Sequence, residues 1–291
     1  MSVLIKLIRI LLVLWFFTAV YLYVCEINDN GCSCFADKLI VPELKMKGLS
    51  GQIPGLELKE SFVFKNAEIE YTPSWNIERG LDKIADYIKT DSTIKLTIAG
   101  ADSKKEKNNT FFTSVGLARA AVIRQKLYKR GVALEQLAIE KQDTNITLVQ
   151  NRVLNGITLG FGKMPIHNKD VLPNEVQTQL YETSLTVFFE KADIVIKKLK
   201  PIEVLYLNCI EAYMKQFPKT IITIVGHTDN IGAPEKNNLL GLKRANNAKK
   251  FIVEKFDINP NSIKTTSAGE QFPISDEQHR NRRVVIGLLK K

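Results

Sequence analysis

The hydrophobic pattern of the chain predicts one membrane segment followed by two α/β regions. Residues 10–24 are apolar and uncharged, and Val3–Ile8 extend this run around Lys6. About 20 apolar residues span a bilayer as a helix, and Lys6 and Arg9 at its start favour a cytoplasmic N-terminus. We therefore expect residues 1–24 to form a cytoplasmic N-terminus and a single transmembrane anchor in the cell inner membrane, with the rest of the chain in the periplasm.

A cleaved signal peptide is the competing interpretation of this segment. Tyr21–Val24 offer no small-residue cleavage pattern, and Val24 is a poor neighbour for lipid attachment at Cys25. These features favour an uncleaved anchor. The state of Cys25, Cys32 and Cys34 stays open between a disulfide in an oxidising compartment and unpaired thiols.

Residues 25–58 are rich in glycine and proline and predict a periplasmic linker. The pattern that follows predicts one β-α-β-α-β-β unit over residues 59–163, in which Gly131 ends the second helix. Its expected elements are a strand at 61–64, a helix with Ile77, Leu81, Ile84, Ala85 and Ile88 on one face, a strand at 94–100, a helix at 114–130, and strands at 136–141 and 152–161.

The same order of elements recurs after a second linker, residues 164–182. The expected elements are a strand at 185–189, a helix at 201–216, a strand at 220–226, a helix at 239–255, and strands at 262–268 and 282–288. Residues 98–100 match residues 224–226, and 116–119 match 241–244. We interpret the chain as an internal duplication. The expected fold is α+β, with two tandem sandwiches, each a mixed sheet with helices on one face.

Charge and composition narrow the functional classes. A net charge of +10 suits an anionic partner such as nucleic acid, a membrane surface or a wall polymer. Nucleic acid is not expected, because zinc-finger spacings, RRM-type aromatic motifs and long basic tracts are missing. His227 has no second ligand at metal spacing and is interpreted as a packing residue, so we expect no metal. Cys209 lies at helical spacing among apolar residues and should be in the core.

Residues 224–286 contain a long ordered series of short motifs. In chain order these are Gly226-His227-Thr228-Asp229 with Gly232, Asn237 before a helix, Leu242 and Arg244-Ala245 within it, Gly269-Glu270 with Pro273, and Asn281-Arg282-Arg283-Val284. The series resembles the OmpA-like (MotB-like) peptidoglycan-binding domain over residues 183–291, with a weaker version at 59–163. A series of this length is more specific than any single motif.

This resemblance implies non-catalytic binding of the peptidoglycan peptide stem through diaminopimelate, without a cofactor. It implies that Asp229 pairs with the ligand ammonium and that Arg244 clasps the carboxylate with its planar fork. Asn237, Thr228 and Arg283 are implied to border the same site. From the residues alone, Asp229 and Arg244 could equally form an internal salt bridge.

The helical pattern adds two expectations about this site. Asn237 or Asn238 should cap the helix. The side chains of Leu242, Ala245, Ala248 and Ile252 should pack on the sheet and leave Arg244 at the flank.

The first repeat departs from the motif. Asp102 stands one place early, no glycine follows three residues later, and one extra residue precedes Arg119. Arg119 and Asn109 remain as candidate partners, and Asp102 could reach the site if the loop bulges. We interpret this repeat as a degenerate domain used for packing or protein contacts.

The leading functional hypothesis is an inner-membrane protein that anchors an envelope complex to the cell wall. The layout resembles accessory anchors of type VI secretion systems and flagellar stator subunits. No Asp, Glu or Lys lies within residues 10–24, which disfavours the stator because a proton path needs an ionisable group.

Two other classes are weighed against that hypothesis. A periplasmic adaptor whose tandem domains bind proteins is the alternative, with wall binding weak or lost. A wall-lytic enzyme would need paired carboxylates or a metal centre, and we find neither pattern. The partner machine and the oligomeric state, including a homo-oligomer, stay open.

Overall fold

The computed structural model describes residues 44–47, 60–146, 148–163 and 172–289. The expected anchor at 1–24 and the three cysteines that follow it lie outside these residues. Among the residues that are described, no helix combines the length and the apolar character needed to cross a membrane. The described residues belong to one compact unit that spans Val41–Lys291.

The N-terminal half, which we define as the described residues up to 163, contains a mixed four-stranded sheet and a small second sheet. Its elements are β1 (Lys45–Lys47), β2 (Phe64–Lys65), α1 (Trp75–Lys89), β3 (Ile94–Asp102), α2 (Val115–Tyr128), β4 (Leu137–Asn145), β5 (Leu148–Val149), β6 (Arg152–Val153) and β7 (Ile157–Lys163). The large sheet has the order β1-β7-β3-β4 and the small one β2-β6-β5. Strand β3 runs parallel to β4 and antiparallel to β7.

The C-terminal half, residues 172–289, is built around a second mixed sheet. Its elements are α3 (Asn174–Glu182), β8 (Leu185–Phe188), α4 (Pro201–Gln216), β9 (Ile222–His227), α5 (Pro234–Lys255), β10 (Ile263–Gly269), α6 (Gln278–Asn281) and β11 (Arg283–Leu288). The strand order is β10-β9-β11-β8. Strand β9 is parallel to β10 and antiparallel to β11. The expected α+β fold is confirmed.

A pair of glycines presses a helix against the end of the central strand in each half. A Cβ atom on Gly226 of β9 would lie 1.8 Å from the carbonyl oxygen of Gly241 in α5. A Cβ atom on Gly100 of β3 would lie 1.9 Å from the carbonyl oxygen of Gly116 in α2. Only glycine fits such backbone contacts. The early turns of each helix are thereby held beside the end of the strand.

The buried face of α5 agrees with the expected one at Ala245, Ala248 and Ile252, and it differs at Leu242 and Arg244. Its buried residues are Asn237, Gly241, Arg244, Ala245, Ala248 and Ile252. Leu242, expected inside, is 37% exposed, and Arg244, expected at the flank, is fully buried. Both expectations were wrong, because the contact at Gly241 sets which side faces the sheet, and residues three and four positions later share that side.

The start of α5 was also misplaced. The helix begins at Pro234 with Ala233 as its N-cap, so Asn237 and Asn238 lie inside it and do not cap it. Proline is favoured at the first helical position because its missing N–H would be unpaired there in any case. The helix therefore starts five residues before the expected boundary at 239.

Four further segments differ from the expected element boundaries. The strand expected at 152–161 is divided, because Arg152–Val153 form β6 of the small sheet and Ile157–Lys163 form β7 of the large sheet. The strand expected at 61–64 does not join the large sheet, because Phe64 and Lys65 pair with β6 in the small sheet. The edge of the large sheet is instead β1, which pairs parallel with β7 and lies within the expected linker. The second expected linker contains α3.

Direct contacts join the two halves. The rings of Phe111 and Tyr206 lie 5.1 Å apart in an edge-to-face arrangement. Thr113 Oγ1 donates a hydrogen bond to Glu175 Oε2 at 3.1 Å. Cys209 is buried, which confirms its assignment to the core. The halves thus share apolar and polar contacts, beyond the simple linker that the sequence predicted.

Candidate functional site

Asp229 lies two residues beyond the end of β9 and is held by an arginine that the sequence did not single out. Arg282 Nη1 donates to Asp229 Oδ2 at 3.1 Å, and Arg282 Nε donates to the carbonyl oxygen of Phe189 at 3.2 Å. The side chains of Asp229 and Arg282 are 10% and 11% exposed. The cation beside Asp229 is therefore Arg282. The motif Asn281-Arg282-Arg283 contained this residue, but the resemblance pointed to its second arginine.

Arg244 is fully buried at the end of β9. Its Nε donates to the carbonyl oxygen of Asp193 at 2.9 Å, and its Nη1 donates to that of His227 at 3.0 Å. The guanidinium also lies 5.3 Å from the centre of the Phe189 ring. Burial lowers the pKa of Arg244, while the nearby charge of Asp229 acts to raise it.

Two buried polar atoms at this strand end have no hydrogen-bond partner among the described residues, Thr228 Oγ1 and Arg244 Nη2. The backbone of Thr228 is fixed, because its N–H donates to the carbonyl oxygen of Gly269 at 2.8 Å. An unsatisfied buried polar group costs about 1–3 kcal/mol, and more when it is charged. A ligand that forms hydrogen bonds with these two atoms would remove this cost, and the free energy recovered would strengthen its binding.

A cavity of about 340 Å³ lies beside two residues that contact Arg244. Phe189 and Asp193, which contact the guanidinium, line it together with Glu190, Lys197 and His279. The cavity therefore borders residues that hold the guanidinium in place.

Asn237 and Arg283 are engaged by the loop between β10 and β11. Asn237 Nδ2 donates to Glu270 Oε2 at 2.6 Å. Arg283 Nη2 donates to the carbonyl oxygen of Phe272 at 2.9 Å, and burial lowers the pKa of Arg283. The structure therefore brings Thr228, Asp229 and Arg244 together at the strand end, and it places Asn237 and Arg283 on the contacts that fix the neighbouring loop.

His227 ends β9 and is buried, as expected for a packing residue. Its Nδ1 lies 3.4 Å from the carbonyl oxygen of Gln271. Burial lowers the pKa of His227, and the charge of Arg283 lowers it further. Within the described ranges, no group of three or more His, Cys, Asp and Glu side chains is placed to hold a metal ion.

Residues 197–286 match the model of the OmpA family. This range includes Thr228, Asp229, Asn237, Arg244 and Arg283. The C-terminal half contains an OmpA-family domain. The resemblance inferred from the motifs is confirmed for this half, whereas the N-terminal half lies outside the matched range.

Relatives of the OmpA-family domain occur in several bacterial envelope proteins. The chain is 30% identical over 73 residues to outer membrane porin F of Pseudomonas aeruginosa, covering 25% of this chain and 21% of the porin. It is 33% identical over 85 residues to the peptidoglycan-associated lipoprotein of Pasteurella multocida, covering 28% of this chain and 56% of the lipoprotein. The chain thus spans only part of the length of these relatives.

Solved structures with a similar region include the peptidoglycan-associated lipoprotein of Burkholderia pseudomallei. The identity is 26%, and the TM-score is 0.30. The similar region covers 36% of this chain and 89% of that structure.

Proposed function

We propose that the chain binds peptidoglycan non-covalently through the diaminopimelate of the peptide stem. In this proposal Asp229 receives the ligand ammonium, and Arg244 receives the carboxylate. The observation that carries the proposal is the pair of unpartnered buried atoms, Thr228 Oγ1 and Arg244 Nη2, beside Asp229. The OmpA-family match and the name of the lipoprotein relative support the same ligand.

The chemistry of the site suits a zwitterion. The carboxylate of Asp229 is oriented by Arg282, and the guanidinium of Arg244 is oriented by two backbone carbonyl oxygens. Side chains that are already fixed lose little conformational entropy when a ligand binds. The remaining N–H donor of Arg244 is suited to a carboxylate oxygen. Thr228, Asn237 and Arg283 border or support this site.

The wider role follows from the expected layout of the chain. We propose a non-enzymatic anchor that is held in the inner membrane by residues 1–24 and that connects an envelope complex, such as a type VI secretion-type machine, to the cell wall. The shared order of three strands, β7-β3-β4 and β11-β9-β10, and the two glycine pairs support the proposal that the N-terminal half is a degenerate second copy. Its contacts with the C-terminal half favour a role in packing.

The first test is co-sedimentation of the full-length protein, in mild detergent, with diaminopimelate-type peptidoglycan. We expect the parent protein to sediment, and we expect Asp229→Asn and Arg244→Lys to lose about 2–5 kcal/mol of binding free energy. Asp276→Asn and Arg280→Lys are matched controls, because both residues are exposed in the neighbouring loop and helix. Circular dichroism checks that each variant is folded.

Competition separates the proposed ligand from simple charge attraction. Free diaminopimelate should displace the protein from the wall, whereas Nα-acetyl-lysine amide, whose one charged group is an ammonium without a carboxylate beside it, should not. If the parent protein fails to sediment, the alternative of a periplasmic adaptor that binds other proteins becomes the better hypothesis.

A further inference from the structure

The N-terminal half contains a second buried arginine in a setting that closely matches that of Arg244. Arg119 lies on α2, the helix that follows the central strand β3, and it is fully buried. Its Nε donates to the carbonyl oxygen of Glu68 at 2.9 Å, as the Nε of Arg244 donates to that of Asp193 at 2.9 Å. Each guanidinium is therefore held at its Nε atom by a backbone carbonyl oxygen.

An aromatic ring supports each guanidinium. Arg119 lies 4.8 Å from the centre of the Phe64 ring, and Arg244 lies 5.3 Å from that of Phe189. A cation over an aromatic face gains about 0.5–2 kcal/mol, depending on how far it is desolvated. The two arginines share burial, the backbone acceptor and the ring.

The remaining nitrogen atoms of the two arginines differ. Arg119 Nη1 donates to Glu106 Oε2 at 3.0 Å, and Arg119 Nη2 donates to Glu106 Oε1 at 2.5 Å. This is a bidentate salt bridge, the geometry in which a guanidinium binds a carboxylate most strongly. In the C-terminal half, Arg244 Nη2 has no partner among the described residues.

Glu106 is itself held in place. Its side chain is 1% exposed. Its oxygens also accept hydrogen bonds from the N–H groups of Ala67 at 2.9 Å and Ser103 at 3.1 Å. A buried carboxylate needs such compensation, because removing either partner of a buried ion pair leaves an uncompensated charge.

We propose that Arg119 forms a carboxylate-binding site that the chain's own Glu106 occupies, in the place where a ligand carboxylate would bind. Glu106 lies on the loop between β3 and α2, so its carboxylate is always present at high effective concentration. An external carboxylate therefore cannot compete at ordinary concentrations. It follows that wall binding, which rests on the function proposed above, is confined to the C-terminal half.

The site can be reached from solvent once the glutamate side chain is shortened. Glu106 lines a cavity of about 520 Å³ together with Ser103, Asn108 and Thr113. A small carboxylate such as formate or acetate can enter a space of this size. This accessibility makes direct chemical rescue the appropriate experiment.

The test uses the full-length protein with Glu106→Ala, followed by thermal unfolding. Loss of one partner of a buried pair should lower the thermal midpoint by on the order of 10 °C. Added formate or acetate should raise the midpoint of this variant with increasing concentration, because a ligand that binds only the folded state stabilises it. Chloride at equal ionic strength, and neutral acetamide, should not.

Three variants sharpen the result. Glu70→Ala removes an exposed glutamate of the same half and should show no carboxylate-specific rise. Glu106→Gln keeps a side chain in the site and should not be rescued. The double variant Glu106→Ala with Arg119→Met should not be rescued either, because the cation is gone.

The proposal is overturned if formate stabilises Glu106→Ala no more than chloride does, or if the double variant is rescued equally well. Should Glu106→Ala fail to fold in chloride, the yield of refolded protein in formate against chloride becomes the measurement, with the same two outcomes. Failure of peptidoglycan sedimentation would leave this rescue unaffected, so the two proposals fail separately.

Discussion

The N-terminal and C-terminal halves each hold a buried arginine on the helix that follows the central strand, but they complete its contacts differently. The glycine pairs, the backbone acceptor for Nε and the aromatic ring are common to both. Arg119 then receives a carboxylate from its own loop, whereas Arg244 keeps one nitrogen unpartnered among the described residues. The framework around such an arginine can thus stay constant while one loop determines whether the arginine is available to a ligand.

Substitutions at the paired glycines should destabilise the protein more than any other change considered. Gly226→Ala and Gly100→Ala each force a Cβ atom into a backbone carbonyl, and each should lower the free energy of unfolding by roughly 3 kcal/mol. Gly162→Ala is the matched control, since its Cβ would meet nothing within 4 Å. Urea unfolding measures all three. Equal stability of Gly100→Ala and Gly162→Ala would show that the two halves do not share this device.

A smaller loss of stability is expected from breaking the ion pair between Arg282 and Asp229 in the C-terminal half. Arg282→Gln leaves the nearly buried carboxylate of Asp229 without its partner and should cost about 1.5–3 kcal/mol of stability. Arg280→Gln, in which an exposed arginine is changed, should cost little. A double-mutant cycle with Asp229→Asn measures the coupling. A coupling near zero would mean that Arg282 does not hold Asp229.

The two halves should also respond to acid in different pH windows. Burial acts to raise the pKa of Glu106, but hydrogen bonds from Arg119 and Ala67 outweigh it and hold the pKa below 4.5. The stability from Glu106 is therefore fully present above pH 4.5 and is lost as pH falls through the lower folded pKa.

His227 titrates in a higher window. Burial, aided by Arg283, holds its pKa below 6.5. Because the folded state favours the neutral ring, the associated stability is present above pH 6.5 and is lost as pH falls through the folded pKa. Hydrogen exchange should thus show the C-terminal half loosening first on acidification. His227→Gln should remove that difference, and simultaneous loosening in the parent protein would contradict it.

The smallest effect concerns the contact between the halves. Lys215 pairs with Glu211 at 3.2 Å and Asp257 at 3.0 Å, and it also bonds the hydroxyl of Tyr128 in the other half. The lysine is partly exposed, so Lys215→Met should cost about 0.2–1 kcal/mol. Lys250→Met, which removes a more exposed pair with Glu254, is the control. In urea unfolding, the midpoint of Lys215→Met should lie only slightly below that of Lys250→Met.

Much of the C-terminal half could be predicted from the sequence, because its signals are local. The helix at 201–216 was predicted with its observed bounds, and the strand predicted at 220–226 ends one residue before the observed end of β9, so that Thr228 and Asp229 follow it in both. The environment of Arg244 could not be predicted. Helical periodicity identifies a stripe but does not say which side faces the sheet, and a charged residue is normally assigned to the surface.

The missed features depend on contacts that are distant in sequence. Arg282 reaches Asp229 across 53 positions, and Glu106 closes on Arg119 across 13. Strand β1 has only three residues within a segment rich in glycine and proline, which gives no recognisable strand pattern. Its pairing with β7 is visible only once the sheet has formed.

Strand β1 has a practical consequence for work with fragments of this protein. It covers the edge of β7 through Lys45–Lys47, opposite Thr158–Gly160. A fragment that begins at residue 59 would leave the N–H and C=O groups of that edge open to pairing with another chain. Such a fragment should self-associate through β7 at high concentration, and a dimer observed with it would report the truncation and not the assembly state of the intact protein.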